Sequence, residues 1–226
     1  MLRRILASAI IAGVAAGLVL SAVQAVWVVP LILHAETFEH KAEAGKDTAA
    51  AGTTEIETDA AWEPAAGAQR RAFTVLTNVL IGVGFGLFLV AAVALSGRAV
   101  DWRRGLLWGL AGFAVFAIAP ALGLPPEPPG VDAGPVPPRQ IWWVSTAVAT
   151  ALGLGLLVFA RPWWVKVAAV AILALPHIIG VPTFEGAPSL VPEELVRTFV
   201  VASLATTGIF WIVLGGLSGF LYRKLA

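Results

Sequence analysis

Charged residues are absent from Ile5 to Leu33, and at ~1.5 Å rise per helical residue this run exceeds the ~30 Å hydrocarbon layer of a bilayer. Similar apolar stretches follow at Phe73 to Leu95, Leu106 to Leu122, Ile141 to Ala160 and Leu195 to Leu221, with a shorter one at Trp163 to Ile179. The pattern predicts an all-α, polytopic transmembrane helical bundle of six spans, or five if the short stretch does not cross.

The polar intervals divide these runs. Pro30 predicts a kink or end in the first helix. Lys41 to Arg71 is rich in Ala, Gly and Thr, contains Glu43, Asp47, Glu55, Glu57, Asp59 and Glu63, and lacks apolar periodicity, so it reads as a flexible acidic loop. Gly123 to Gln140 includes Pro125-Pro126, Pro128-Pro129 and Pro137-Pro138 and reads as a rigid, extended connection. A rival reading of the N-terminus is a cleaved signal peptide: Arg3-Arg4, an apolar stretch and Ala22-Val23-Gln24-Ala25 fit its three regions. Against it, the apolar run continues through Trp27 to Leu33, which a signal peptide does not need. Gly82, Gly84 and Gly86, and Gly105 with Gly109, offer close approach to neighbouring helices. The pairs Trp142-Trp143 and Trp163-Trp164 read as interfacial anchors.

Composition agrees, with 58% hydrophobic residues against 13% charged among 226. A net charge of +1 without a basic stripe speaks against nucleic acid. Zero cysteines exclude disulfides, thiolate metal sites and iron-sulfur clusters, leaving oxygen and imidazole as metal ligands. With six spans, Arg3, Arg4, Arg98, Arg103, Arg104, Arg161, Lys166, Arg223 and Lys224 fall on one side, against Lys41, Lys46, Arg70, Arg71, Arg139 and Arg197 on the other. The positive-inside rule then places both termini in the cytoplasm. Only Asp101 among the acids lies inside; Glu36, Glu39, Glu127, Asp132, Glu185, Glu193, Glu194 and the acids of the first loop lie outside, where they concentrate cations.

The candidate chemistry sits at that outer face. His34, Glu36, Glu39 and His40 follow the first span; if helix continues there, Glu36, Glu39 and His40 share a face and His34 points toward another partner. His177, after Pro176 at the outer end of the fifth span, is the candidate for that partner. A ring of His34, Glu36, Glu39, His40 and His177 would supply the nitrogen and oxygen donors that suit divalent cobalt, nickel or zinc. No phosphate-binding G-x-x-x-x-G-K-[ST] loop, H-E-x-x-H helix or G-x-S-x-G elbow is present, so the usual ATPase, zinc-protease and hydrolase signatures are missing. The span interiors carry essentially no ionisable side chain, which argues against proton coupling. A cation could instead move down the membrane potential, worth ~2.3 kcal/mol per charge per 100 mV.

Several blocks resemble the CbtA-type proteins, proposed cobalt transporter subunits associated with bacterial cobalamin metabolism. They are Pro30-Leu31-Ile32 with His34-Ala35-Glu36, Trp62-Glu63-Pro64 with Gly67 and Arg70-Arg71, and Gly105 to Phe113. The most distinctive is Ala119 to Glu127 with Pro129-Gly130, Arg139-Gln140 and Trp142-Trp143; Pro176-His177, Gly180 and Pro182 complete the set. Val181 departs from the alanine anticipated there. The resemblance implies about five spans, a location in the bacterial inner membrane, and a small single-span CbtB-type subunit with a histidine-bearing motif as partner.

The sequence thus predicts a multi-pass membrane transport subunit and not an enzyme. It would be surrounded by membrane lipid, hold no tight cofactor, carry a divalent metal ion (cobalt first), and leave a homo-oligomer open. The readings from other classes are a non-transporting scaffold or assembly subunit, and an intramembrane enzyme using Glu127 as acid or base.

Overall fold

The computed structural model describes residues 2–49, 64–65, 67–184 and 189–225, and the side chains of these except 42–49. In chain order the helices are α1 (Leu2–Trp27), α2 (Val29–Ala49), α3 (Ala68–Leu95) and α4 (Trp102–Phe113). A π-helical turn (Ala114–Ile118), α5 (Ala119–Ala121), α6 (Val136–Phe159), α7 (Trp163–Ile179) and α8 (Glu193–Lys224) follow. Among the described residues there are no strands. Five helical runs are long and apolar enough to cross a membrane: α1, α3, Trp102–Ala121, α6 and α8. At 17 residues α7 is shorter. It nevertheless runs back along α6, where Gly153 faces Leu173 and the Ala169 carbonyl, and its far end reaches Trp142 through His177.

Backbone contact between helices organises the bundle. In lipid there is no hydrophobic force to hold one apolar helix against another, so close van der Waals approach has to do it, and small residues permit that approach. On α1, Ala9, Gly13 and Gly17 recur every fourth residue; on α3, Asn78, Gly82 and Gly86 answer them in antiparallel order. A Cβ built on Gly13 would lie 2.5 Å from the Gly82 carbonyl oxygen and the Val83 Cα. Gly84 is different, facing open space. Gly105 and Gly109 on α4 meet Gly215 and Gly219 on α8 in the same antiparallel way, so the small-residue spacing marks a real helix contact. The Asp101 side chain caps α4 by accepting from the Arg104 backbone N–H at 2.9 Å.

α1 also packs on α8. Arg4 Nε donates to the Tyr222 carbonyl at 2.5 Å with its guanidinium 3.7 Å from the ring centroid, which brings the start of α1 to the end of α8. Between these helices lie Ala12, Ala16, Leu20, Phe210 and Leu214, all buried. Where α3, the π turn and α8 converge, Phe85, Phe116 and Trp211 form an aromatic layer. Phe116 stacks on Trp211 with an interplanar angle of 3° and a centroid distance of 5.7 Å.

The interruption expected at Pro30 is present, and two later boundaries differ from the sequence reading. The first helix is interrupted only at Val28: Pro30 has no N–H for the Val26 carbonyl, but Val28 and Ile32 bond around it and helix resumes as α2. That helix continues to Ala49, past the expected loop start at Lys41. The rest of the acidic loop to Glu63, with Trp62, lies outside the described residues, as does Glu185. The proline-rich connection is shorter than Gly123 to Gln140, because α6 begins at Val136 with prolines in its first turn, where a missing N–H costs no helical hydrogen bond.

Candidate functional site

The end of the bundle opposite Arg4 and Tyr222 carries the predicted site residues. α2 leans on the start of α8 and on the connection after α5 through Ala35, Val191 and Leu195, flanked by Leu31, Phe38 and Val131. This packing leaves His34 and His40 exposed and Glu36 and Glu39 half-buried. Glu36 has a specific partner that the spacing did not reveal. Both terminal nitrogens of Arg70, at the start of α3, donate to its two carboxylate oxygens. That hydrogen bonding holds the Glu36 carboxyl below its ordinary value of 4.5; burial opposes the shift, and the charges of Arg70 and His40 add to it.

The sign of this linkage is testable. A lowered folded pKa stabilises above the ordinary value, and the contribution is lost as pH falls through the folded pKa, so the α2–α3 tie should weaken only below about pH 4.5. With the two side chains 22% and 46% exposed, the pair contributes about 0.5 kcal/mol. Arg70→Ala should return the Glu36 titration toward 4.5, as followed by carboxyl NMR.

A second polar cluster joins the connection after α5 to the first turn of α6. Glu127 and Arg139 form an ion pair at 2.5 Å, each about a quarter exposed. With Asp132, Pro135, Pro138 and Thr183 they line a cavity of about 240 Å³. Asp132 accepts from the Gly134 backbone N–H at 3.1 Å, and positive φ angles at Gly130 and Gly134 turn the chain there. Trp142 closes the assembly from below: its ring and Val181 both crowd Gly123, and His177 lies at the edge of the ring, 6.0 Å between centroids. It is 7% exposed, so it is a packing residue and not the interfacial anchor the sequence predicts. Trp163 and Trp164 are exposed on α7, as anchors should be.

The blocks around Glu127, Arg139, Trp142, His177 and Pro182 therefore meet at one end of the bundle. The connection also touches α2, since a Cβ on Gly130 would sit 3.3 Å from Glu39 Cγ. The predicted ring does not close, however. Among the described residues no group of three or more His, Asp or Glu side chains is placed to hold a metal ion. His34 tilts against Phe38 at 5.5 Å and His177 against Trp142, on different elements. Sequence reasoning missed the Glu127–Arg139 pair as a unit, although Pro-rich flanks around two opposite charges were a visible signal.

No curated protein and no solved structure matches the chain. The family model described as "Probable cobalt transporter subunit (CbtA)" matches residues 2–223, nearly the whole helical bundle described above, and the chain belongs to that family.

Proposed function

We propose that this protein is the membrane-embedded subunit of a cobalt uptake system linked to cobalamin metabolism, taking the divalent ion at its acidic face and passing it inward without enzymatic chemistry. Family membership supports the cargo. The observation that carries the orientation is the separation of charge between the two ends of the bundle. Arg4 meets Tyr222 and Arg98 lies 4.4 Å from the Phe159 ring at one end, while Glu36, Glu39, Glu127, Asp132, Glu193 and Glu194 belong to the other. The positive-inside rule makes the basic end cytoplasmic, both termini included, in a bacterial inner membrane.

His34, Glu36, Glu39, His40 and His177 are the proposed capture groups. Because no three of them form a ready site, the ion meets one or two at a time and keeps much of its water. Weak contact of this kind suits cargo that must leave again. A CbtB-type partner with histidines of its own would complete the coordination shell, which fits a chain described as a subunit. The scatter of these side chains also favours the second reading, a scaffold that only recruits or orients a partner.

Radioactive cobalt accumulation in cells, with and without the partner, separates the two. His34→Ala and His177→Ala should each lower uptake several-fold at limiting cobalt while membrane levels of the protein stay constant. Uptake unchanged in both variants would remove the site assignment; no uptake by the wild-type pair would leave the scaffold.

A further inference from the structure

Hydroxyl side chains on these helices follow one habit. Ser21 donates to Gly17, Thr146 to Trp142, Thr150 to Thr146, Thr198 to Glu194 and Thr207 to Ser203, each to the carbonyl four residues back. Three buried hydroxyls break it. Ser8 on α1 and Thr206 and Ser218 on α8 have no hydrogen-bond partner among the described residues, though each is at most 1% exposed. A hydroxyl orphaned inside an apolar bundle costs free energy unless water or a polar cargo reaches it. All three belong to the helices that pack antiparallel through Arg4 and Tyr222. That register sets Ser8 and Ser218 near the basic end. Thr206 lies on the other side of Phe210 and Leu214, just below Ala202 and Ala205, which line a groove of about 950 Å³ that opens between Glu193 and Trp27.

Between the two hydroxyl levels on α8, aromatic rings pack together. Phe85 lies 5.0 Å from Phe116 and 5.0 Å from Trp211, and Phe210 lies 5.6 Å from Trp211 (centroid distances). A dry layer of this kind stops ions by excluding water. Its central ring, Phe116, stands on the π turn, where the Ala119 N–H bonds the Ala114 carbonyl, one residue further back than in an α-helix. Pro120 follows and has no N–H to give to the Phe116 carbonyl. One extra residue in a turn rotates the helix by about 100°, so moving the bulge along the helix would carry Phe116 out of the layer.

We propose that Phe116, with Phe85 and Trp211, is the barrier of the cation path, and that Thr206 on the outer side and Ser8 with Ser218 on the inner side are the polar stations it separates. This rests on the transport reading above and adds where the path is closed and what opens it. The π turn is the movable part.

Because the chain has no cysteine, single cysteines report the two levels cleanly. In membrane vesicles of defined orientation holding the full chain, a charged, membrane-impermeant thiol reagent should label T206C only from the outer face and S218C only from the inner face, with at least tenfold sidedness. F116A should let each be labelled from both faces. F159A, which shortens a ring beside Arg98 at the basic end, away from the layer, should keep the sidedness. Deleting Val115, which converts the π turn to α-helix, should leave the protein folded and sided but abolish cobalt uptake. The proposal is overturned if neither cysteine is labelled, if labelling lacks sidedness with Phe116 present, if F116A leaves it intact, if F159A removes it equally, or if the Val115 deletion transports normally. Sided labelling that F116A abolishes, in a protein that moves no cobalt, would retain the barrier and fail the transport reading alone.

Discussion

Gly82→Ala should force α1 and α3 apart and leave little folded protein, whereas Gly84→Ala, two residues along the same helix, should be tolerated. The new Cβ at position 82 would overlap the carbonyl oxygen of Gly13 and crowd the Gly17 nitrogen at 3.2 Å. Both are backbone atoms of a helix that α8 holds from its other side, so no side chain can swing away to relieve the overlap. Overpacking usually costs 1–3 kcal/mol, and a contact that only whole-helix displacement relieves belongs at or above the upper end, about 3 kcal/mol. Separation would also strain the hydrogen bonds from Asn78 Nδ2 to Ser21 Oγ at 3.1 Å and to Gln24 Oε1 at 2.7 Å. Unfolding in mixed detergent micelles measures the difference directly. Equal losses for the two variants would mean that helix propensity matters there and that contact does not.

Arg139→Ala should be the most damaging single change at the acidic end. It leaves the Glu127 carboxylate unpaired in a cavity walled by Pro135, Pro138 and Pro182. A hydrogen bond to a charged group contributes about 1.5–3 kcal/mol, and a quarter exposure keeps the loss below that of a fully buried pair. Glu127→Gln with Arg139→Gln should restore much of the stability, because neither charge is then stranded. Thermal unfolding of the single and double variants tests this. A double variant as unstable as Arg139→Ala alone would show that the arginine acts by packing its stem against the prolines.

Much of this architecture was legible from residue order. Apolar runs located the five helices long and apolar enough to cross a membrane and the shorter α7, because a helix satisfies its own backbone in hydrocarbon. Gly82, Gly86, Gly105 and Gly109 were readable as contact points, but Gly84 shared the pattern and faces away, since spacing alone does not say which side of a helix has a neighbour. At the acidic end the i, i+4 relation correctly coupled Glu36 with His40. What it could not supply was Arg70, beyond a long polar interval, or the fact that His177 rests against Trp142 and not beside His34. Such pairings depend on how distant helices come together. The role of Trp142 was misread for the same reason: doubled tryptophan at a span's edge has the composition of an anchor, and the fold of the proline-rich connection buries it.

The position of α1 has a consequence for how the protein is made. It is synthesised well before α8, yet one of its two packed faces waits for that helix. Until then Ala12, Ala16 and Leu20 have only lipid or a membrane chaperone for company. Helices α3 and α4 can pair with their neighbours only as fast as translation supplies them, and α8 can close on α1 and α4 only after both have been made. Premature chain release before α8 would leave α1 and α4 each with an uncovered seam, the kind of half-built surface that membrane quality control recognises and degrades.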